Sequence, residues 1–210
     1  VLDERSNAVQ RQIADQAAAN AKATGVEKII GDMWATGMDE AKIEAQGMKP
    51  IEGRLAEVDK LTDADSIATY LRDSASKGEG FLFGFGPEAD FKNSSMNMAY
   101  ATQGGLGLPD TEYYFDPAKK KNLADYEAHI ARTLELSGTP AADAAKQAKD
   151  VVAFETRLAK VSKSREELQR DVALYYHPVS PADADKATPG FSWEDFFKAQ
   201  GIDTPTTFSM

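Results

Sequence analysis

The stretch Val26-Glu27-Lys28-Ile29-Ile30-Gly31-Asp32-Met33-Trp34-Ala35-Thr36-Gly37-Met38 decides the fold class. Its large apolar residues, Val26, Ile29, Ile30, Met33, Trp34 and Met38, recur at i, i+3, i+4, i+7, i+8 and i+12, which gathers them on one helix face and predicts a core helix. Upstream, residues 3–20 read as a polar, Ala-rich helix with a thin stripe of Val9, Ile13 and Ala17, and Gly25 separates the two. Downstream, a short turn around Ile43 stops near Gly47 and Pro50, and Ile51, Leu55 and Val58 mark another short helix. Thr62 stands as an N-cap for a longer helix in which Ile67, Tyr70 and Leu71 repeat at helical spacing up to Gly78.

The period changes between Gly80 and Gln103. Phe81, Phe83 and Phe85 alternate with Leu82 and Gly84, and Met96, Met98 and Tyr100 alternate again, so residues 80–103 read as a β-hairpin turning over Pro87 to Ser95. A lone hairpin is marginal in water, so this one is expected to lie on helices. After the glycine-rich run Gln103-Gly104-Gly105-Leu106-Gly107-Leu108-Pro109, helical spacing returns with Leu123, Tyr126, Ile130 and Leu134, ending at Gly138. Thr139-Pro140 supplies an N-cap and first-turn proline for a helix to about Val161, with Val151, Phe154, Leu158 and Val161 inward. Prolines then cut the chain into short pieces, one opened by Ser180-Pro181 and one by Ser192 and carrying Trp193, Phe196 and Phe197. The final residues, Thr204 to Met210, lack a helical period and are expected to fray. The fold expected is mainly α, a helical bundle-like lobe with one small β-hairpin.

Composition excludes several functions. The formal net charge is −10, and basic residues are scattered singly apart from Lys119, Lys120 and Lys121. A phosphate-binding surface needs clustered Lys and Arg, so nucleic acid is not an expected partner, and anionic membranes are disfavoured for the same reason. No apolar window is long enough to span a bilayer, so membrane insertion is not expected. The chain starts on Val1 without a signal-peptide pattern, which is read as a start inside a longer gene product. With no cysteine in the chain, disulfides, thiolate ligands and thiol catalysis are all excluded.

The residues also withhold a catalytic set. A helical zinc site needs His-Glu-x-x-His, and the two histidines, His129 and His177, stand in unrelated contexts, so neither is assigned to a metal. Ser94-Ser95 lacks a nucleophile elbow and is placed in a turn, and neither Gly78-x-Gly80 nor Gly84-x-Gly86 is followed by the helix and lysine of a phosphate loop. The acidic pairs Asp39-Glu40, Asp63 with Asp65, and Glu166-Glu167 read as helix first turns, and Arg170 with Asp171 as a pair holding a helix end. No catalytic residue, no cofactor ligand and no metal ligand is therefore expected in these 210 residues.

Several phrases together nevertheless resemble the N-terminal region of the neprilysin and endothelin-converting-enzyme family of zinc metallopeptidases. The most specific is Asn93-Ser94-Ser95 followed, through a strand, by Gln103-Gly104-Gly105-Leu106-Gly107-Leu108-Pro109-Asp110 and the pair Tyr113-Tyr114. Trp34-Ala35-Thr36-Gly37-Met38-Asp39 with Ile43-Glu44, Phe154-Glu155-Thr156-Arg157-Leu158-Ala159, Arg170-Asp171 with Tyr175-Tyr176, and Phe191-Ser192-Trp193 with Phe196-Phe197 follow in the family's order. The family pattern differs at Gly37, where animal members carry a cysteine, and at His177, where asparagine is common.

The resemblance implies that residues 1–210 are part of a single helical covering lobe of a two-lobed peptidase, with the catalytic zinc domain absent. The zinc ligands and general base of the parent protein would lie beyond Met210, so zinc is implied for the parent and none for this stretch. Peptide substrates would meet the missing lobe, and an extracytoplasmic, periplasmic or secreted location is implied by the resemblance alone. The function expected is thus a non-catalytic lobe limiting access to a peptide-hydrolysing site, with a stand-alone acidic helical binding module as the alternative. If the lobe continues, helices here should present unpartnered apolar faces, either Val151, Phe154, Leu158 and Val161 or Trp193, Phe196 and Phe197, and the fragment should self-associate.

Overall fold

A computed structural model describes residues 2–203 and 207–210. The protein is mainly helical with one small sheet, as expected, and the chain forms two compact units, residues 1–57 and 58–210.

The first unit contains α1 (Leu2–Ala19), α2 (Gly25–Met38), α3 (Glu40–Gln46) and most of α4 (Lys49–Val58). Helices α1 and α2 meet through small residues. Ala14, Ala17 and Gly31 are buried, and a Cβ built on Gly31 would stand 2.6 Å from the Ala17 carbonyl oxygen. The half-buried Trp34 lies on the same side of α2, one turn on, and its Nε1 donates to Asp15 at 2.7 Å. This geometry corrects the reading of α2 as a core helix: Val26, Ile29 and Met33 are 71%, 68% and 78% exposed. The large apolar face is turned away because the close backbone approach at Gly31 chooses the small-residue face for α1. Gly31→Ala should therefore destabilise this unit, although alanine is the better helix former. The added methyl meets backbone, which cannot swing aside, and overpacking of this kind costs about 1–3 kcal/mol. The expected result is a lower midpoint in a circular-dichroism melt; an unchanged or raised midpoint would contradict the packing.

The second unit opens with α5 (Ala64–Ala75). Its N-cap is Asp63, not Thr62, because the Asp63 carboxylate accepts from Ser66 N–H while the Ser66 hydroxyl accepts from Asp63 N–H. The hairpin follows as β1 (Phe83–Asp90) and β2 (Asn93–Gln103), antiparallel, with Phe83 opposite Gln103 and Ala89 opposite Asn97. The turn is only Phe91-Lys92, so Pro87 and Ser94-Ser95, expected in a loop, lie in strands. Pro87 is tolerated because β1 is an edge strand, where a missing N–H breaks no central ladder.

Two short strands extend the sheet to the order β1-β2-β4-β3: β3 (Pro178–Val179), and β4 (Phe208–Ser209), which lies parallel beside Ala99 and Tyr100 of β2. The expected fraying of the final residues is thus overturned at Phe208 and Ser209, both fully buried. Within the same stretch, Thr204 to Thr206 fall outside the described residues. Helices α6 (Glu112–Phe115), α7 (Lys120–Leu136), α8 (Ala141–Val161), α9 (Arg165–Arg170), α10 (Pro181–Ala187) and α11 (Trp193–Ala199) complete the unit.

The core joins α11 to the sheet. Trp193, Phe196, Phe197, Phe208 and Ala184 are buried together, with Phe85 ring to Phe196 ring at 4.8 Å and Trp193 to Phe208 at 4.7 Å. Trp193, Phe196 and Phe197 are therefore the centre of the core and not an unpartnered patch. On α8 the expected stripe is rotated: Val151, Phe154 and Val161 are exposed, whereas Ala144, Ala148, Val152, Glu155 and Ala159 face inward. Those five share one helix face, and four of them are too small or too polar to register as hydrophobic period. The helix itself starts at Ala141, with Pro140 as N-cap in place of Thr139.

Candidate functional site

The acidic pairs are spent on helix ends. Asp39 accepts from Lys42 N–H at 3.1 Å, and Glu167 closes a capping box with Ser164. Hydrogen bonds from Ser66 hold the Asp63 carboxyl below its ordinary range, and those from Ser164 do the same for Glu167. Arg170 does not pair with Asp171 as expected; it reaches back one turn to Glu166, while Asp171 accepts from Ala173 N–H. His129 is exposed on α7 and His177 is exposed just before β3. Among the described residues no three His, Cys, Asp or Glu side chains gather into a metal-ligand set.

The most organised polar feature is the glycine-rich run after β2. Gln103 is clamped to Lys163 by two reciprocal bonds, its Nε2 donating to the Lys163 carbonyl at 2.7 Å and its Oε1 accepting from Lys163 N–H at 2.9 Å. At the other end, the Asp110 carboxylate accepts from Arg165 N–H at 3.1 Å and from Thr111 N–H at 2.6 Å. Between these clamps lies Glu155, a buried carboxylate on α8. It accepts from the Tyr114 hydroxyl at 2.5 Å, the Tyr126 hydroxyl at 2.9 Å and Gly107 N–H at 3.2 Å, and the Tyr114 oxygen in turn accepts from Leu108 N–H at 3.1 Å.

The glycines answer to this packing. A Cβ on Gly107 would fall 1.8 Å from the Tyr126 hydroxyl, and Gly105, at φ +84°, sits against Leu158 and the backbone of Phe81 and Leu82. Beside the run is a cleft of about 560 Å³ bounded by residues 102–111 and by Ser162, Lys163, Arg165 and Leu168. The arrangement is a static clasp. It fixes a loop against two helices. Glu155 was missed from sequence, although its spacing from Ala144, Ala148 and Val152 was a usable signal.

Burial, and then the hydrogen bond to Glu155 and its charge, push the Tyr126 phenol up to about 12, and the same causes raise Tyr114. Unfolded phenols ionise near about 10. Their contribution to stability is therefore complete below that pH and is lost as the pH climbs through the folded values. Urea midpoints should fall between about pH 10 and 12, and Tyr126→Phe should flatten that fall. An identical alkaline profile in the variant would remove Tyr126 from the account.

Clamped loop, buried carboxylate and bonded tyrosine hydroxyls define a mainly helical domain organised around one clasped loop. The chain belongs to peptidase family M13, whose N-terminal profile matches residues 1–210. Endothelin-converting enzyme 1 of Rattus norvegicus is 27% identical over 94% of this chain, and neutral endopeptidase of Lactobacillus helveticus 30% identical over 75%. The crystal structure of Mycobacterium tuberculosis zinc metalloprotease Zmp1 in complex with inhibitor superposes with a TM-score of 0.86 at 32% identity, over 98% of this chain. The chain spans 27% of the rat enzyme, 24% of the Lactobacillus enzyme and 32% of Zmp1. No helix among the described residues is long and apolar enough to cross a membrane.

Proposed function

We propose that this chain is the non-catalytic, helical N-terminal part of a zinc metalloendopeptidase that hydrolyses peptides, and that it limits which substrates reach the active site. The observation that carries the reading is the match of all 210 residues to a family whose members are about three to four times as long. Both compact units then belong to one covering lobe, and zinc and its ligands belong to another part of the parent protein, acting outside the cytoplasm. The clasp around Glu155 supports this reading, because a wall that excludes large substrates must hold its shape.

The test uses the whole gene product and the 210-residue chain side by side. Zinc-dependent cleavage of a short peptide, with a folded protein of the same sequence content left intact, is the expected result for the former. The latter should neither cleave nor hold stoichiometric zinc. Equal attack on peptide and folded protein would sink the access role, and a zinc ion bound through His129 or His177 would sink the non-catalytic assignment.

Self-association of the isolated chain belongs to the same proposal. Val26, Ile29 and Met33 on α2, and Val151, Phe154 and Val161 on α8, are exposed apolar residues of the kind that soluble monomers rarely leave in patches. Light scattering should show mass rising with concentration, together with binding of a hydrophobic dye. A strictly monomeric chain that ignores the dye would mean that these faces need no cover.

A further inference from the structure

Strand β1 ends the sheet, and among the described residues no strand pairs with its outer edge. At the head of that edge is a cavity of about 260 Å³, lined by Leu71 and Ala75 of α5 and by Phe81, Phe85 and Gln200. The Nε2 of Gln200 is shut off from solvent and has no acceptor among the described residues. A buried amide donor left unpaired is costly, so an acceptor entering this cavity would be favoured. Further along β1, Pro87, Glu88 and Ala89 are exposed, and Glu88 has no ion-pair partner among the described residues.

We propose that the open edge of β1 is a docking site for an extended peptide segment of basic, apolar character, bound by β-strand addition. Backbone groups of the edge would supply register-setting hydrogen bonds, while the cavity takes an apolar residue and the Gln200 side chain turns its unpaired amide to the peptide's carbonyl. Glu88 selects the charge. It lies three residues beyond Phe85, about 10 Å along a strand at roughly 3.4 Å per residue, so a Lys or Arg three positions from the apolar residue would stand opposite it. The acidic balance of the chain, −10, favours the same sign of partner. Pro87 narrows the site, since it offers a carbonyl but no N–H. Edge, cavity and Glu88 all lie within residues 58–210.

The probe is the blocked hexapeptide acetyl-Val-Lys-Thr-Val-Leu-Val-amide, ordered for antiparallel addition, titrated into the 15N-labelled 210-residue chain. Amide resonances of Phe85, Gly86 and Ala89 should shift, and hydrogen exchange at Phe85 and Ala89, which share the edge-facing side with Pro87, should slow. The same peptide with Glu in place of Lys should bind at least about fivefold more weakly, the scale of one exposed charge pair made repulsive, and Glu88→Lys should reverse that preference. Gln200→Leu should weaken both peptides while raising the melting temperature, a combination that misfolding cannot produce. Shifts confined to other residues, equal binding of both peptides by the parent chain, or unchanged binding by Gln200→Leu would overturn the proposal.

Discussion

Phe208→Ala should lower the stability of the second unit by about 3–5 kcal/mol, the cost of emptying a fully buried phenylalanine site. Phe208 has no solvent exposure, and its ring lies 4.7 Å from that of Trp193 and 5.1 Å from that of Phe197. It also occupies the middle of the sheet, opposite Ala99 on one side and Val179 on the other. Loss of the ring would therefore loosen α11, β3 and the hairpin together. Urea denaturation followed by tryptophan fluorescence reads this directly, since Trp193 belongs to the same cluster. A variant within about 1 kcal/mol of the parent, the ordinary range of a tolerated substitution, would mean that β4 is not part of the core.

That residue also shows where sequence reading stopped. The stretch from Thr204 to Met210 has no period because β4 is two residues long, and two residues cannot display alternation. Its placement is set by the aromatic cluster of α11, far away in sequence from the hairpin that it joins. Phe83 and Phe85, by contrast, were legible as one strand face, since eight residues of β1 give the alternation room to appear. Strand ends were less legible: Pro87 and Asn93 to Ser95 carry turn chemistry yet lie in strands, because an edge position forgives the proline and the Phe91-Lys92 turn needs no more chain.

The two helix faces failed for a common reason. On α2 and α8 the large apolar residues form the more conspicuous stripe, but α2 meets α1 at Gly31, and α8 separately turns Ala144, Ala148 and Ala159 inward. Hydrophobic period measures the wish to leave water, and in these helices close approach ranks above it. The clasp was half legible. The glycines and the pair Tyr113-Tyr114 stand out as a motif, but Glu155, the acceptor for Gly107, Tyr114 and the distant Tyr126, is a charged residue in a helix and reads as surface until its partners are known.

Glu155→Ala should be the most damaging single change at that clasp, costing about 2–4 kcal/mol as several neutral donors lose their acceptor together. Three groups lose their acceptor at once: the Tyr114 and Tyr126 hydroxyls and the Gly107 N–H. Each buried donor left unpaired carries a penalty of about 1–3 kcal/mol, reduced where water can enter. Tyr114 is buried and cannot turn to solvent, whereas Tyr126 and Gly107 are nearer the surface and can recover part of the loss. Glu155→Gln separates shape from charge. It retains one accepting oxygen at nearly the same volume, but its amide would face donors on the other side, so a smaller loss of about 1–3 kcal/mol is expected. Hydrogen exchange gives the local readout, because amides from Gly104 to Thr111 should exchange faster in the alanine variant while those of β1 stay protected. If Glu155→Ala unfolds the chain outright, Glu155→Gln still carries the comparison. Equal stability of Glu155→Gln and the parent, with unchanged exchange along the loop, would show that the carboxylate does not hold it.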